Sequence, residues 1–234
     1  MALKFLGKKG LSERPIVQNL VNIIIENPND YIYIARVFSN YPNNQKVDIM
    51  EIENQVRNVL AMTFISQNRS EKIIKLFVEI YKSKKFNEIR SEVLENVAYN
   101  LGPITRELHT KSCFIEPEIK DDDLLVGESK IKCDLVFYDN DTKPLEFIEC
   151  KTNISNVIPW NKPFHKMGKP HQDKLNYLRN AYHYLNEFYC EPKMYFACYN
   201  ENYDNEKKNL QNNWGFRFIE IISPLEMVNG KVRE

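Results

Sequence analysis

The stretch IKCDLVFY at residues 131–138, the polar run DNDTKP at 139–144 and LEFIECK at 145–151 read together as a β-hairpin. Two β-prone apolar runs flank a cluster of turn formers, the pattern that closes antiparallel strands. With the loop centred between Asp141 and Thr142, residues whose numbers sum to 283 face each other across the ladder, which pairs Asp134 with Glu149 and Cys133 with Cys150. Side chains alternate along a strand, so Asp134, Glu149 and Lys151 project from one face at one end of the hairpin.

Two acids and a lysine among Val136, Phe147 and Ile148 are costly to bury, and like carboxylates that close repel each other. A divalent cation removes that penalty. Mg²⁺ takes one or two carboxylate oxygens and keeps its remaining positions for carbonyl oxygens, water and substrate phosphates. A neighbouring ammonium can then orient or help deprotonate an activated water, or stabilise the charge that develops on phosphorus. A bare Glu-x-Lys is weak by itself, since it recurs at Glu118/Lys120, Glu128/Lys130, Glu191/Lys193 and Glu206/Lys208. Glu149/Lys151 differs because it ends an apolar strand with an Asp placed opposite. The plain alternative is a strand-end ion pair.

Working outward, the 234 residues divide by periodicity. Over residues 15–101 apolar positions recur at helical spacing: Ile16, Leu20, Ile23 and Ile24; Ile52, Val56, Val59 and Leu60; Ile73, Ile74, Phe77, Val78 and Tyr81. Turn formers at 27–30 and 39–44 punctuate them. After Gly102-Pro103 the pattern changes to short β-type runs at 113–119, 131–138, 145–150, 194–199 and 216–222, with a helical stretch at 171–189 carrying Leu175, Leu178, Tyr182 and Leu185 on one stripe. The reading is a mixed α/β chain: an N-terminal helical domain at residues 1–84, for recognition or dimerisation, and an α/β domain at 85–234.

Composition narrows the function. Lys+Arg and Asp+Glu are both 32, so the chain is not a polycation and any nucleic-acid site must be a local patch. Only 7 glycines occur, none in GxGxxG or GxxxxGK[ST] order, which argues against kinase, ATPase and dehydrogenase readings. The 5 cysteines are odd in number and lack a CxxC, so a reduced, cytoplasmic protein is expected, with Cys133 and Cys150 as buried thiols. No apolar run is long enough to span a bilayer.

Cys133-Asp134, a spacer of 14 residues and Glu149-Cys150-Lys151 resemble the signature of the PD-(D/E)xK, or restriction-endonuclease-like, nuclease superfamily. The order helix, three strands, helix, strand is similar to the αβββαβ core of that superfamily, with its central mixed β-sheet, over residues 87–222. Cys133 stands where the motif has Pro. The resemblance implies that Asp134 and Glu149 are catalytic metal ligands, that the Cys150 carbonyl is a further ligand and that Lys151 is the catalytic lysine. It also implies an acid from the preceding helix, for which Glu92 and Glu95 are candidates and Glu95 is favoured. The cofactor implied is Mg²⁺, with Mn²⁺ able to substitute. The activity implied is a DNA endonuclease of restriction or defence type, a phosphodiester hydrolase acting on double-stranded DNA as a homodimer.

Between Lys151 and Lys174 lie Lys162, Lys166 and Lys169, with one acid, Asp173, and with Trp160, Phe164, His165 and His171 interleaved. A basic, aromatic loop beside a metal site can track a phosphate backbone and stack on bases. Lys162, Lys166, Lys169, Gln172 and Lys174 are therefore candidate nucleic-acid contacts. In the resembling family the helix after Glu-x-Lys often carries a Gln or Lys that reaches the site, which makes Gln172 and Lys174 candidates there. Gln172 to Tyr177 is one residue longer than the QxxxY of the exonuclease-like branch. The acids Glu116, Glu118 and Asp121–Asp123 lack the regular alternation and closing Glu of an EF-hand and read as a solvated hairpin loop. The rival class is a non-catalytic module that binds nucleic acid or protein on the same scaffold; an RNase or toxin with the same residues differs only in substrate.

Overall fold

A computed structural model describes residues 3–7, 10–45, 47–61, 63, 65–105, 112–127, 130–138 and 145–230. The DNDTKP turn, the centre of the hairpin reading, lies outside the described residues. After strand β1 (Leu3–Leu6) come the helices α1 (Pro15–Glu26), α2 (Asp30–Asn40), α3 (Ile49–Ala61), α4 (Gln67–Lys82) and α5 (Phe86–Leu101). The expected helical periodicity is realised here with a shift of phase in α1. Its buried stripe is Val17, Leu20, Val21 and Ile24, while Ile16 and Ile23 are only partly covered.

The second half contains β2 (Ser112–Ile115), β3 (Glu118–Asp121), β4 (Leu124–Leu125), β5 (Leu135–Tyr138), β6 (Leu145–Lys151), α6 (Lys169–Phe188), β7 (Lys193–Cys198), α7 (Asp204–Lys208), β8 (Ile219–Ile222) and α8 (Pro224–Asn229). The main sheet has the order β2-β5-β6-β7-β8. Its first three strands are antiparallel, and β6, β7 and β8 run parallel. A smaller antiparallel sheet has the order β1-β3-β4. The fold is therefore mixed α/β, with one mixed and one antiparallel sheet.

The hairpin register is the expected one: Leu135 pairs with Ile148, Val136 with Phe147, Phe137 with Glu146 and Tyr138 with Leu145. Three expectations need correction. The run at 113–119 is not one strand, because Glu116 takes a φ of 43° and Pro117 follows, so the chain leaves the main sheet and starts the smaller one. The β5 strand begins at Leu135 rather than at 131, so Cys133 does not face Cys150 across a ladder. Cys133 packs in the core under α6 and Cys150 in the core under α5. Both thiols are free and buried. The third is the last strand, which starts at Ile219 rather than at 216.

Because β6 is the middle strand, it is covered on both faces and reads as a nearly unbroken apolar run. One face carries Leu135, Phe137, Ile148, Tyr195 and Ala197 against α5 and the helices before it, in one continuous core. The other carries Val136, Phe147, Met194 and Phe196 against Leu175, Leu178, Ala181 and Leu185 of α6. Glycine is required at Gly102, where a Cβ would lie 2.6 Å from the Phe137 ring as α5 closes on the sheet. Among the described residues no helix is long and apolar enough to cross a membrane.

Candidate active site

The site lies at the C-terminal end of β6, on the face covered by α6. Alternation places Phe147, Glu149 and Lys151 on that face and Ile148 and Cys150 on the other. Glu149 is 1% exposed. Its Oε1 pairs with Lys151 Nζ at 2.7 Å and its Oε2 accepts from Lys174 Nζ at 2.9 Å. Lys174, in the second turn of α6, also donates to the carbonyl of Lys132. Asp134 sits one residue before β5, and its Oδ2 accepts the Cys150 backbone N–H at 2.7 Å. The Asp134 carbonyl accepts in turn from the Glu116 N–H at 2.9 Å, which fixes the approach to the strand.

Two carboxylates and two ammoniums thus meet where α6 crosses the ends of β5 and β6. Burial pushes Asp134 up from the usual carboxylate range to about 7, and the Glu149 charge adds to the shift against the pull of Lys151 and Lys174. Burial works against the charge on Lys151, yet Glu149 and Asp134 outweigh it and its pKa is raised. Lys174 behaves the same way, with Glu149 again the largest opposing influence. Both lysines stay charged at neutral pH.

The other candidates fall into three groups. Glu92 is committed elsewhere: it accepts from Ser12 Oγ at 2.6 Å and pairs with Arg14 at 3.2 Å. Glu95 stands on α5, at the opposite face of the sheet from Glu149, and its charge is felt at Cys150 and Tyr199. Gln172 donates to the Met167 carbonyl at 2.7 Å and so ties the preceding loop to the start of α6. Lys169 pairs with Asp173 one turn on, whereas Lys162 and Lys166 are exposed and have no acidic partner among the described residues. The Lys132 carbonyl went unforeseen, because residues 131–134 read as strand and their carbonyls as ladder acceptors.

Among the described residues no three His, Cys, Asp or Glu side chains converge as a ready ligand set. A cation here would rest on the Asp134 and Glu149 carboxylates, with the Cys150 carbonyl and water completing the shell. That donor set is hard and oxygen-only, and two carboxylates suffice for Mg²⁺, which keeps much of its hydration. The raised pKa of Asp134 marks a carboxylate whose charge the present neighbours compensate incompletely. The residues fit a divalent ion provided that one ammonium swings off Glu149. No family model, no curated protein and no solved structure matches the chain.

Proposed function

We propose that this protein is a Mg²⁺-dependent nuclease that hydrolyses phosphodiester bonds, with DNA as its substrate. The carrying observation is the convergence of Asp134, Glu149 and Lys151 at one strand end, with Lys174 closing on Glu149 from α6. The succession α5, β2, β5, β6, α6, β7 supports the reading, since it has the αβββαβ order of the PD-(D/E)xK core with the β3–β4 hairpin inserted.

In this reading Asp134 and Glu149 hold the ion together with the Cys150 carbonyl, and Mn²⁺ substitutes for Mg²⁺. When bound, the ion would polarise the scissile phosphate and lower the pKa of the attacking water. Lys151 remains protonated at neutral pH, so its part is electrostatic: it orients the water by hydrogen bonding and stabilises negative charge on the phosphoryl oxygens. Lys174 holds Glu149 in place and, once a phosphate enters, supplies a second cation. Glu95, whose charge is felt at Cys150, is the candidate third acid, approaching the end of β6 from the α5 side. Cutting both strands of a duplex with one site per chain calls for a two-fold homodimer.

A second reading, a binding module without catalysis, draws on one specific observation. Both oxygens of Glu149 are already paired with lysines, which leaves the four charges formally balanced. Cleavage of plasmid, linear and single-stranded DNA and of RNA, with Mg²⁺, Mn²⁺ or EDTA, separates the two. Metal-dependent cutting that disappears in Lys151→Ala supports the nuclease. No cutting of any substrate, together with no shift in Tm on adding metal, favours the binding module.

A further inference from the structure

We infer that Trp160 is a stacking platform for an unpaired base, so that the nucleic acid entering the site carries an unpaired nucleotide, in a single strand or at a frayed end or flap of a duplex. This rests on the nuclease reading above and deepens it by naming the form of the substrate.

An exposed apolar side chain is ordinary by itself. The indole of Trp160 is distinguished by the rigidity of its support. Trp160 is 61% exposed and has no aromatic partner among the described residues. The carbonyls on either side of it are pinned from below: Asn209 Nδ2 donates to Pro159 O at 2.7 Å and to Lys162 O at 3.3 Å, and Trp214 Nε1 donates to Lys162 O at 2.9 Å. Asn209 is itself 3% exposed and opens a turn of π-helix at Asn209–Asn213. Such turns are rare and concentrate at functional positions. Here the wider turn lets the Asn209 Oδ1 accept from Asn213 at 2.9 Å while its amide faces the loop.

Phe164, the other aromatic of the loop, is spent on structure. Its ring lies 5.6 Å from Trp214 and 5.3 Å from Phe216. The loop is therefore anchored by one aromatic and presents the other. In the same loop the exposed Lys162 and Lys166 have no acidic partner among the described residues. A flat π-face on a loop that also carries exposed cations is the chemistry that receives a base and its phosphates.

The platform is also at the correct end of the molecule. Residues 152–168 leave the C-terminal end of β6, and residues 199–213 leave that of its parallel neighbour β7. The two connections are joined where the Ile154 N–H donates to Asn200 Oδ1 at 3.1 Å. The same strand ends carry Glu149 and Lys151, and the crevice outside the carboxyl ends of parallel strands is where α/β sheets take ligands. A base locked in a duplex has no free face to offer Trp160, whereas an unpaired one has.

Intrinsic fluorescence tests this directly, because the chain has 2 tryptophans and the second, Trp214, is 7% exposed. Wild-type protein, Trp160→Ala and Trp160→Phe would be titrated in EDTA with a 12-residue oligothymidylate and with a relaxed, covalently closed circular duplex, which has no terminal base pair to stack. The expected result is quenching of wild-type emission by the single strand, its loss in both variants, and affinity weakened roughly tenfold in Trp160→Ala and less in Trp160→Phe. Unquenched emission at saturating oligonucleotide, or equal affinities of wild type and Trp160→Ala, overturns the platform. Quenching by the duplex equal to that by the single strand overturns the assignment of an unpaired base. Cleavage assayed in parallel with Mg²⁺ and Lys151→Ala reports separately on the nuclease: its absence beside intact Trp160 quenching removes the catalysis and keeps the stacking site.

Discussion

Two buried glutamates stand three residues apart on β6, each 1% exposed, and they solve the same problem by different means. Glu146 accepts the backbone N–H groups of Ile104 and Thr105 at 2.6 and 2.8 Å. Glu149 is met by two lysine side chains, at 2.7 and 2.9 Å. Backbone donors cannot move without moving the chain, so Glu146 is closed to any ligand and fastens the segment after α5 to the sheet. Lysine ammoniums are mobile and remain partly exposed, so the pairing at Glu149 can open to a cation or a phosphate. A buried carboxylate is therefore not in itself a sign of chemistry; what separates structure from function here is whether its partners can leave.

The comparison breaks first on activity. Lys151→Ala and Glu149→Gln should each lower cleavage about 10²–10³-fold, the usual worth of a group aimed at developing charge. Glu146→Gln, assayed at a temperature where it is folded, should stay within a factor of a few of wild type. Equal losses at both glutamates would dissolve the distinction.

Stability should show the reverse order. Glu146→Gln turns an amide donor towards one of two N–H groups and leaves it unsatisfied, at a cost of about 1–3 kcal/mol. The cost should register in denaturant unfolding as a lower midpoint at an unchanged m-value. In Glu149→Gln the lysines can turn to water and the loss should be smaller. A larger loss at Glu149 would mean that its lysines are as fixed as backbone.

Asp134 sharpens the difference through pH. Its pKa rises to about 7 on burial, so the folded protein binds that proton more tightly than the unfolded chain. Without metal, stability is therefore full below about pH 4, falls as pH rises towards 7 and changes no further from this group above that, by at most a few kcal/mol. Metal binding needs the anion, so the Mg²⁺-induced rise in Tm should be small at pH 6 and grow by pH 8. Asp134→Asn should flatten both profiles and make the metal-free protein the more stable one at pH 8. A Tm shift independent of pH would place the ion elsewhere.

The legibility of these features in the sequence follows from how far apart the interacting residues lie. The helices and the β5–β6 register rest on local periodicity and a single turn, so the sum rule at 283 was readable, and with it the convergence of Asp134 and Glu149. β1 was not readable: its four residues pair with β3 more than 100 positions away. The run at 113–119 looked continuous because the backbone reversal falls at Glu116, a residue type that seldom takes positive φ. Lys174 was readable only as one of two candidates, since whether Gln172 or Lys174 meets Glu149 depends on how α6 is rotated on the sheet. The hold of Asn209 and Trp214 on the Trp160 loop left no local trace, because it depends on a π-turn some 50 residues further along the chain.

The smallest effect divides the lysines of the basic loop by the same criterion of prior engagement. Lys169 already has Asp173 as a partner, while Lys162 and Lys166 have no acidic partner among the described residues. A cation that neutralises a phosphate releases condensed counterions, so each such contact adds roughly 0.7 to the slope of log K against log salt for a single strand. Lys162→Ala and Lys166→Ala should each lower the slope by about that amount. Lys169→Ala should change it less, because binding there would first have to break an ion pair and would leave Asp173 facing the phosphates. Fluorescence titrations between 50 and 200 mM salt, of the order where such slopes are resolved, measure this. Equal decrements at all three positions would show that the Lys169–Asp173 pair opens as readily as the lysines of Glu149, and that pairing at the surface carries no information about which cations meet the substrate.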